Sequence, residues 1–173
     1  MEEEYLDIVD EKDNVIGKDT RKNIYLGDKP KHLIRYVHVL VFNSKGELLV
    51  PKRSLNREIF PGCYDFSCSE HVSSGETYKE AAIRGLEEEL GIKNVKLQEV
   101  AKLSPKEGVH GFTMTYEIRY NGSISNYDRD GISSLHWFNI ETIKKMIVQN
   151  KKQFKSDFPV VFQCYLKIKG IIK

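Results

Sequence analysis

Two adjacent glutamates, Glu88 and Glu89, belong to a segment whose residue types and spacing could bind a metal ion. At about 100° per residue in a helix, they lie on either side of the direction in which Gly85 points, one turn earlier. The small residues Ala81 and Gly85 leave space between them. Carboxylates around such a recess suit a hard divalent cation such as magnesium, which proteins commonly share with substrate phosphates. The alternative is a solvated acidic helix end, although negative charge there opposes the helix dipole.

The segment that carries these glutamates is predicted to be a helix over residues 77–90. Thr77 followed by Glu80 is a capping box, in which each side chain bonds a backbone N–H left free at the helix start. Gly91 favours a stop there, because glycine adopts the left-handed conformation without a steric penalty. We expect the helix to pack through its apolar side, which carries Ala82, Ile83, Leu86 and Leu90. A second side carries Ala81, Arg84, Gly85, Glu88 and Glu89.

The stretch from residue 69 to residue 92 resembles the Nudix box, the signature of the Nudix hydrolase superfamily. That pattern is a glycine, five residues, a glutamate, seven residues, then Arg-Glu-aliphatic-any-Glu-Glu-any-Gly-aliphatic. The matching positions are Glu76, Arg84, Leu86, Glu88, Glu89, Gly91 and Ile92. Two positions differ, because Glu70 replaces the first glycine and Gly85 replaces the glutamate after the arginine, usually a metal ligand in the family. If residue 85 faces the metal, Gly85→Glu is expected to tighten metal binding.

The resemblance implies a hydrolase that uses Mg²⁺ or Mn²⁺ to cleave a diphosphate linkage in a nucleoside diphosphate-type small molecule. Glu88 and Glu89 would hold the metal, which would make a bound water more acidic. Arg84 would orient the glutamates and partly neutralise them. Gly75 would be the tight-turn residue of the preceding loop, which ends at Glu76.

Further groups are needed to bind the diphosphate and to complete the metal site. Lys52, Arg53 and Arg57 are candidate phosphate contacts, and a solvated strand end is the alternative for the first two. The carboxylate that is missing at position 85 could come from Glu76, from Asp130 or from a substrate oxygen. The sequence leaves this choice open.

The resemblance is closest to the branch of the superfamily related to isopentenyl diphosphate isomerase. His71 matches a family histidine, but the catalytic cysteine falls on Ser69, and Cys68 faces elsewhere if the segment is extended. The strand histidine of the isomerases falls at Ile34, and the expected Glu-any-Glu pair reads His110-Gly111-Phe112. The hydrolase interpretation is therefore favoured over an isomerase. A third interpretation is a binding module that has lost efficient catalysis, for which the two altered box positions are the argument.

Length and composition indicate one globular domain over residues 1–173, in which residues 1–30 form an N-terminal hairpin extension that ends in a connector at 27–30. The 27 basic and 25 acidic residues give a net charge of +2, which indicates neither a nucleic-acid partner nor a membrane partner. A homodimer is a possible assembly. Three scattered cysteines indicate reduced thiols, and the N-terminus lacks a signal-peptide pattern, so we expect a cytoplasmic protein.

The elements that must position these residues indicate an α+β fold, with a mixed, curved sheet sandwiched between helices. Strands are predicted at residues 5–9, 15–18, 33–42, 47–51, 95–103, 111–120 and 135–138. Pro51 cannot donate a ladder hydrogen bond, so it marks an edge, a bulge or a strand end. Asn121-Gly122 predicts a further hairpin into residues 123–125. A helix is expected to start after Asn139, and residues 158–168 are predicted to form a closing helix.

Overall fold

The computed structural model describes residues 3–26 and 32–173 of the chain. It begins with two antiparallel strands, β1 (Tyr5–Val9) and β2 (Val15–Thr20), which confirm the predicted N-terminal hairpin. A short helix, α1 (Arg21–Leu26), follows them and was not expected from the sequence. The predicted connector at residues 27–30 lies outside the described residues.

Six strands form the main sheet, in the order β6-β7-β3-β4-β8, with β5 also paired to β3. They are β3 (Arg35–Phe42), β4 (Leu48–Arg53), β5 (Cys68–His71), β6 (Gln98–Leu103), β7 (Phe112–Arg119) and β8 (Ile132–Phe138). β3 and β7 run parallel, whereas the other pairs are antiparallel, so the sheet is mixed as predicted. β3 pairs with β4 only at Phe42 and with β5 over residues 36–39, so the two strands share one side of β3.

Helices cover both faces of this sheet, which confirms the predicted fold class. α2 (Tyr78–Leu90) packs on one face, and α3 (Ile140–Asn150) and α4 (Phe158–Ile168) pack on the other. Because strand side chains alternate between faces, Val39 and Leu49 join the core under α2, whereas Leu40 and Val50 join the core under α4. Among the described residues, no helix is long and apolar enough to cross a membrane.

The box helix α2 forms where the sequence predicts it. Thr77 is the N-cap and makes both bonds of the capping box with Glu80, and Gly91 ends the helix with φ 66°. The predicted burial is partly wrong, because Ile83 is 42% exposed while Ala81 and Gly85 are fully covered. The cause is packing between elements that are separate in sequence. Because β5 packs against Gly85, the side of α2 that carries Ala81 and Gly85 faces the sheet.

The predicted hairpin after Asn121-Gly122 is wrong. Residues 123–125 form no strand, and the next strand, β8, pairs with β4 on the far side of the sheet. β7 already has β3 and β6 on its two edges, so no edge is left for a hairpin partner. Asn121 instead accepts a hydrogen bond from the backbone N–H of Ser44 at 2.6 Å, which fixes the end of β7 to the β3–β4 turn.

The predicted strand over residues 47–51 continues past Pro51 to Arg53 as β4. It lies between β3 and β8, so Pro51 does not mark an edge or a strand end. The register between β4 and β8 shifts between Lys52 and Arg53, next to the proline, which agrees with the bulge alternative.

Candidate metal and diphosphate site

The loop between β5 and α2 is fixed by the N-terminal hairpin. Gly75 has a φ of 82°, a conformation that favours glycine. The two carboxylate oxygens of Asp7, in β1, accept hydrogen bonds from the Ser74 hydroxyl at 2.7 Å and from the Gly75 backbone N–H at 3.2 Å. The role predicted for Gly75 as the tight-turn residue therefore agrees with its backbone conformation, and Asp7 is a support that sequence reasoning missed.

Arg84 connects this loop to β5 and to the end of α2. Its guanidinium donates two hydrogen bonds to Glu76, at 2.9 and 3.0 Å, and one to the backbone oxygen of His71 at 2.9 Å. A further bond reaches Glu88 at 3.1 Å, and a Glu70 oxygen lies 3.6 Å away. The bonds to Glu76 raise the pKa of Arg84 above its usual value. Arg84 thus contacts two of the box glutamates, Glu76 and Glu88, and its predicted orienting and neutralising role stays a prediction.

Glu76 is not a free carboxylate. Both of its oxygens bind Arg84, and Oε2 also accepts the backbone N–H of Ser73 at 3.0 Å. Asp130 is exposed in a turn, where its backbone N–H donates to Asp128 at 3.0 Å. Glu76 and Asp130 were the two protein candidates for the missing carboxylate. In the structure, Glu76 closes the loop and Asp130 belongs to a turn.

The space beside Gly85 is filled rather than open. A Cβ atom at this position would lie 2.5 Å from Glu70 Cγ and 2.7 Å from Cys68 Sγ, both on β5. These distances are too short for non-bonded carbon and sulfur atoms. The expectation that Ala81 and Gly85 leave a recess is therefore wrong, and a glutamate introduced at position 85 alone would collide with Glu70.

Glu70 and Glu89 bring two carboxyl groups together in this part of the fold. They lie within hydrogen-bonding reach of each other, and Glu89 also accepts the backbone N–H of Ser69 at 3.3 Å. Burial raises the pKa of both carboxyl groups, and the neighbouring Glu70 and Asp65 charges add to the increase at Glu89. A bound cation would offset this accumulation of negative charge.

Glu88 completes the acidic end of α2 but points toward Arg84, and its side chain is 58% exposed. As placed in residues 3–26 and 32–173, no three His, Cys, Asp or Glu side chains converge as metal ligands would. The donor set nevertheless fits a hard divalent cation, because Glu70, Glu88 and Glu89 all offer carboxylate oxygens, with Glu70 close to both Glu89 and the arginine that binds Glu88. An exposed side chain such as Glu88 can turn from Arg84 at little cost.

A small cavity places two of the three predicted phosphate contacts beside Glu89. Its lining includes Arg53, Arg57, Asp65 and Glu89. Arg53 donates to Asp65 at 2.7 Å, and Arg57 donates to Asp128 at 3.0 Å. The cavity, with a volume of about 20 Å³, therefore brings two arginines and a glutamate together.

Lys52 does not reach this cavity. It alternates with Arg53 along β4 and therefore points to the opposite face of the sheet. Its ammonium lies 5.7 Å from the ring centroid of Tyr64, which packs against the core under α4.

Lys155 is a cation that sequence reasoning missed. It lies in the segment between α3 and α4, where no local pattern sets it apart. Its ammonium binds the Ser69 hydroxyl at 2.6 Å and lies 3.8 Å from Asp65. It therefore faces the serine whose backbone binds Glu89.

The residues compared with the isomerase pattern, of which only His71 matched it, lie in different surroundings in this fold. Cys68 is fully buried in the core under α2, where burial raises the pKa of its thiol, and Ser69 faces Lys155 on the other side of β5. This confirms that Cys68 and Ser69 face different ways. His71 Nε2 is 2.8 Å from the Tyr25 hydroxyl, and burial lowers its pKa to about 3.

Comparison with known proteins places these features in a family context. The family model for the NUDIX domain matches residues 32–158. An uncharacterized Nudix hydrolase of Nostoc sp. is 42% identical over 144 residues, which cover 82% of this chain and 84% of that protein. A crystal structure from Deinococcus radiodurans has a TM-score of 0.84 at 30% identity, over 94% of this chain and 99% of that one. An isopentenyl-diphosphate isomerase of Mesocricetus auratus is 40% identical over 136 residues, 72% of this chain and 57% of that enzyme.

The Asp7 contacts generate a prediction about the loop. Asp7→Ala removes the acceptor for the Gly75 N–H, and a hydrogen bond to a charged group contributes about 1.5–3 kcal/mol. We expect hydrogen exchange of the Gly75 amide, followed by NMR, to accelerate at least ~10-fold. Asp10→Ala is the control, because among the described residues the Asp10 carboxylate bonds within its own hairpin turn, to Lys12 and Asn14. Equal protection of Gly75 in the parent and in Asp7→Ala would contradict this role.

Proposed function

The chain belongs to the Nudix family, and on this premise we propose that it is a Mg²⁺- or Mn²⁺-dependent hydrolase of a diphosphate linkage in a nucleoside diphosphate-type small molecule. The observation that supports this most is the position of Glu89. It lies beside Glu70 and follows Glu88, which binds Arg84, in the sequence. It also lines the cavity that contains Arg53 and Arg57. Glu89 is therefore near both the carboxylates proposed to bind the metal and the two arginines proposed to bind the phosphates.

The metal ion, when bound, makes a water more acidic and withdraws charge from the phosphate. The protein residues supply position. Glu88 and Glu89 would hold the ion, with Glu88 turning toward it from Arg84, while Arg84 keeps the loop fixed to β5 through Glu76 and the backbone of His71. Because the contacts of Arg84 with Glu76 and His71 need not change, the loop and β5 require little reorganisation when charge develops on the phosphate.

Arg57 and Arg53 bind the diphosphate oxygens in this proposal. A guanidinium has five N–H donors, and Arg57 uses one nitrogen for Asp128 while its side chain is 43% exposed. Arg53 is more constrained, since it binds Asp65 and the backbone oxygen of Ile59. Arg57 is therefore the more adaptable contact, and Arg53 is the more rigid one.

Isomerase activity is not proposed, despite the similarity to an isopentenyl-diphosphate isomerase. A thiol that transfers protons must be accessible, whereas Cys68 is buried and its pKa is raised. Ser69 stands in the family cysteine position, and a serine hydroxyl is far less acidic than a thiol. A binding module without catalysis is the other alternative, and turnover in a hydrolysis screen separates it from the hydrolase.

The metal ligands are tested by Glu88→Gln and Glu89→Gln in a phosphate-release screen of nucleoside diphosphates and triphosphates, dinucleotides and sugar nucleotides. Each variant is expected to lower Mg²⁺- or Mn²⁺-dependent hydrolysis at least ~100-fold, because neutralising a ligand weakens both metal binding and charge stabilisation. Glu87→Gln is the matched control, since Glu87 is on the same helix but pairs with Lys93 at 2.6 Å. Undiminished hydrolysis in both variants would place the metal elsewhere, and a parent that binds nucleotides without turnover would support the binding module.

The phosphate contacts are tested by Arg57→Ala against Lys52→Ala. Loss of one charge-assisted hydrogen bond corresponds to about 1.5–3 kcal/mol, so kcat/KM is expected to fall at least ~10-fold in Arg57→Ala. Lys52→Ala should leave kcat/KM close to the parent value, because Lys52 lies on the other face of the sheet. The assignment fails if Lys52→Ala is the more damaging change.

Incubation with isopentenyl diphosphate and Mn²⁺ or Mg²⁺ tests the choice between the two enzymes. No dimethylallyl diphosphate is expected, because Ser69 and Ile34 replace residues that the proton transfers need. NMR or chromatography detects the product. Its appearance at catalytic rates would reverse the ranking of hydrolase and isomerase.

A further inference from the structure

Glu70 is a carboxylate with no assigned role that points into the acidic end of α2. It replaces the glycine of the family pattern, while Gly85 replaces the glutamate of that pattern. The two differences lie on facing elements, β5 and α2, and their atoms meet. They are therefore one structural change rather than two.

The contact is steric and specific. The Cγ of Glu70 lies 2.5 Å, and its Cβ 3.5 Å, from where a side chain at position 85 would begin. Position 85 is three and four residues before Glu88 and Glu89, so a side chain there would extend along the same helix face. The methylene groups of Glu70 and the thiol of Cys68, which lies 2.7 Å from the same position, fill this volume from the strand side.

The carboxyl group of Glu70 lies near Glu89 and Arg84, which would also be the neighbours of a side chain at position 85. It is within hydrogen-bonding reach of Glu89, and one oxygen is 3.6 Å from the Arg84 nitrogen that binds Glu88. Its side chain is only 20% exposed, so it is held against this group rather than extended into solvent. Glu76 is bound on both oxygens by Arg84, and Asp130 lies in an exposed turn, so neither offers an equally placed carboxylate.

We propose that Glu70, delivered from β5 through the space left by Gly85, is the third carboxylate ligand of the metal site formed with Glu88 and Glu89. This inference rests on the proposed function and identifies how the site is completed. The Glu70 side chain, from β5, replaces the glutamate that the family has at position 85 of the helix. Glycine is required at position 85 because a larger residue would occupy the space of Glu70.

The steric coupling makes the proposal testable by exchanging the two residues. Four proteins are compared by Mn²⁺ titration without substrate, using calorimetry and the EPR signal of free Mn²⁺: the parent, Glu70→Gly, Gly85→Glu, and the double variant. Glu70→Gly should weaken Mn²⁺ binding at least ~10-fold, because affinity at such sites follows the number of charged ligands. Gly85→Glu alone should lower Tm through the collision with Glu70 and Cys68. The double variant should recover Mn²⁺ affinity and part of the lost Tm, because the contact with Cys68 at 2.7 Å remains.

Two further variants keep the outcome interpretable. Glu70→Gln retains the shape of the side chain and should also lose Mn²⁺ affinity, whereas Glu87→Gln, on the exposed side of α2, should not. If the parent binds Mn²⁺ and both Glu70 variants, folded as judged by Tm and circular dichroism, bind it equally well, the role of Glu70 is refuted while the proposed function stands. A parent that neither binds Mn²⁺ nor hydrolyses a diphosphate refutes both. Additive losses of Mn²⁺ affinity in the double variant would show that the two positions do not substitute for each other.

Discussion

The Arg84 guanidinium is the interaction on which the candidate site depends. It binds Glu76 in the loop, the backbone of His71 in β5 and Glu88 near the end of α2. Three elements that carry the functional groups are thereby joined at one side chain. Arginine suits this position because its planar group donates in several fixed directions at once. The same contacts hold Glu76 and Glu88 near a positive charge, which limits the repulsion among the carboxylates around it.

Packing against the sheet decides which side chains reach this centre. Gly85 allows β5 to approach α2 so closely that Glu70 and Cys68 fill the space beside the helix. Asp7 fixes the adjoining loop from the N-terminal hairpin, so the hairpin supports the site although it lies outside the matched family region. Strand alternation then separates the cations, because Arg53 faces the Glu89 cavity and Lys52 faces the opposite core.

Local signals made much of the fold predictable. The capping box at Thr77, the stop at Gly91 and the apolar runs of β3 and β7 depend on neighbours in sequence, and the structure has them where the sequence indicates. The errors have a tertiary origin. Asn121-Gly122 is a strong hairpin signal, but both edges of β7 are occupied, and Ile83 is exposed because Gly85 turns toward β5. Spacing likewise identified the acidic pair and Arg84. Contacts between residues far apart in sequence place Asp7 at the loop and Lys155 at β5, and no spacing rule reveals them. Spacing marked Glu70 as a difference from the family pattern but did not reveal its contact with Gly85.

The proposed site places a divalent cation between the end of α2 and β5. Paramagnetic line broadening by substoichiometric Mn²⁺ in amide NMR spectra measures this location directly, independently of any substrate. We expect the amide signals of Glu70, Glu88 and Glu89 to be broadened first, while those of the acidic hairpin turn near Asp10 are retained. Broadening centred on that turn or elsewhere, with the signals of α2 and β5 unchanged, would contradict it.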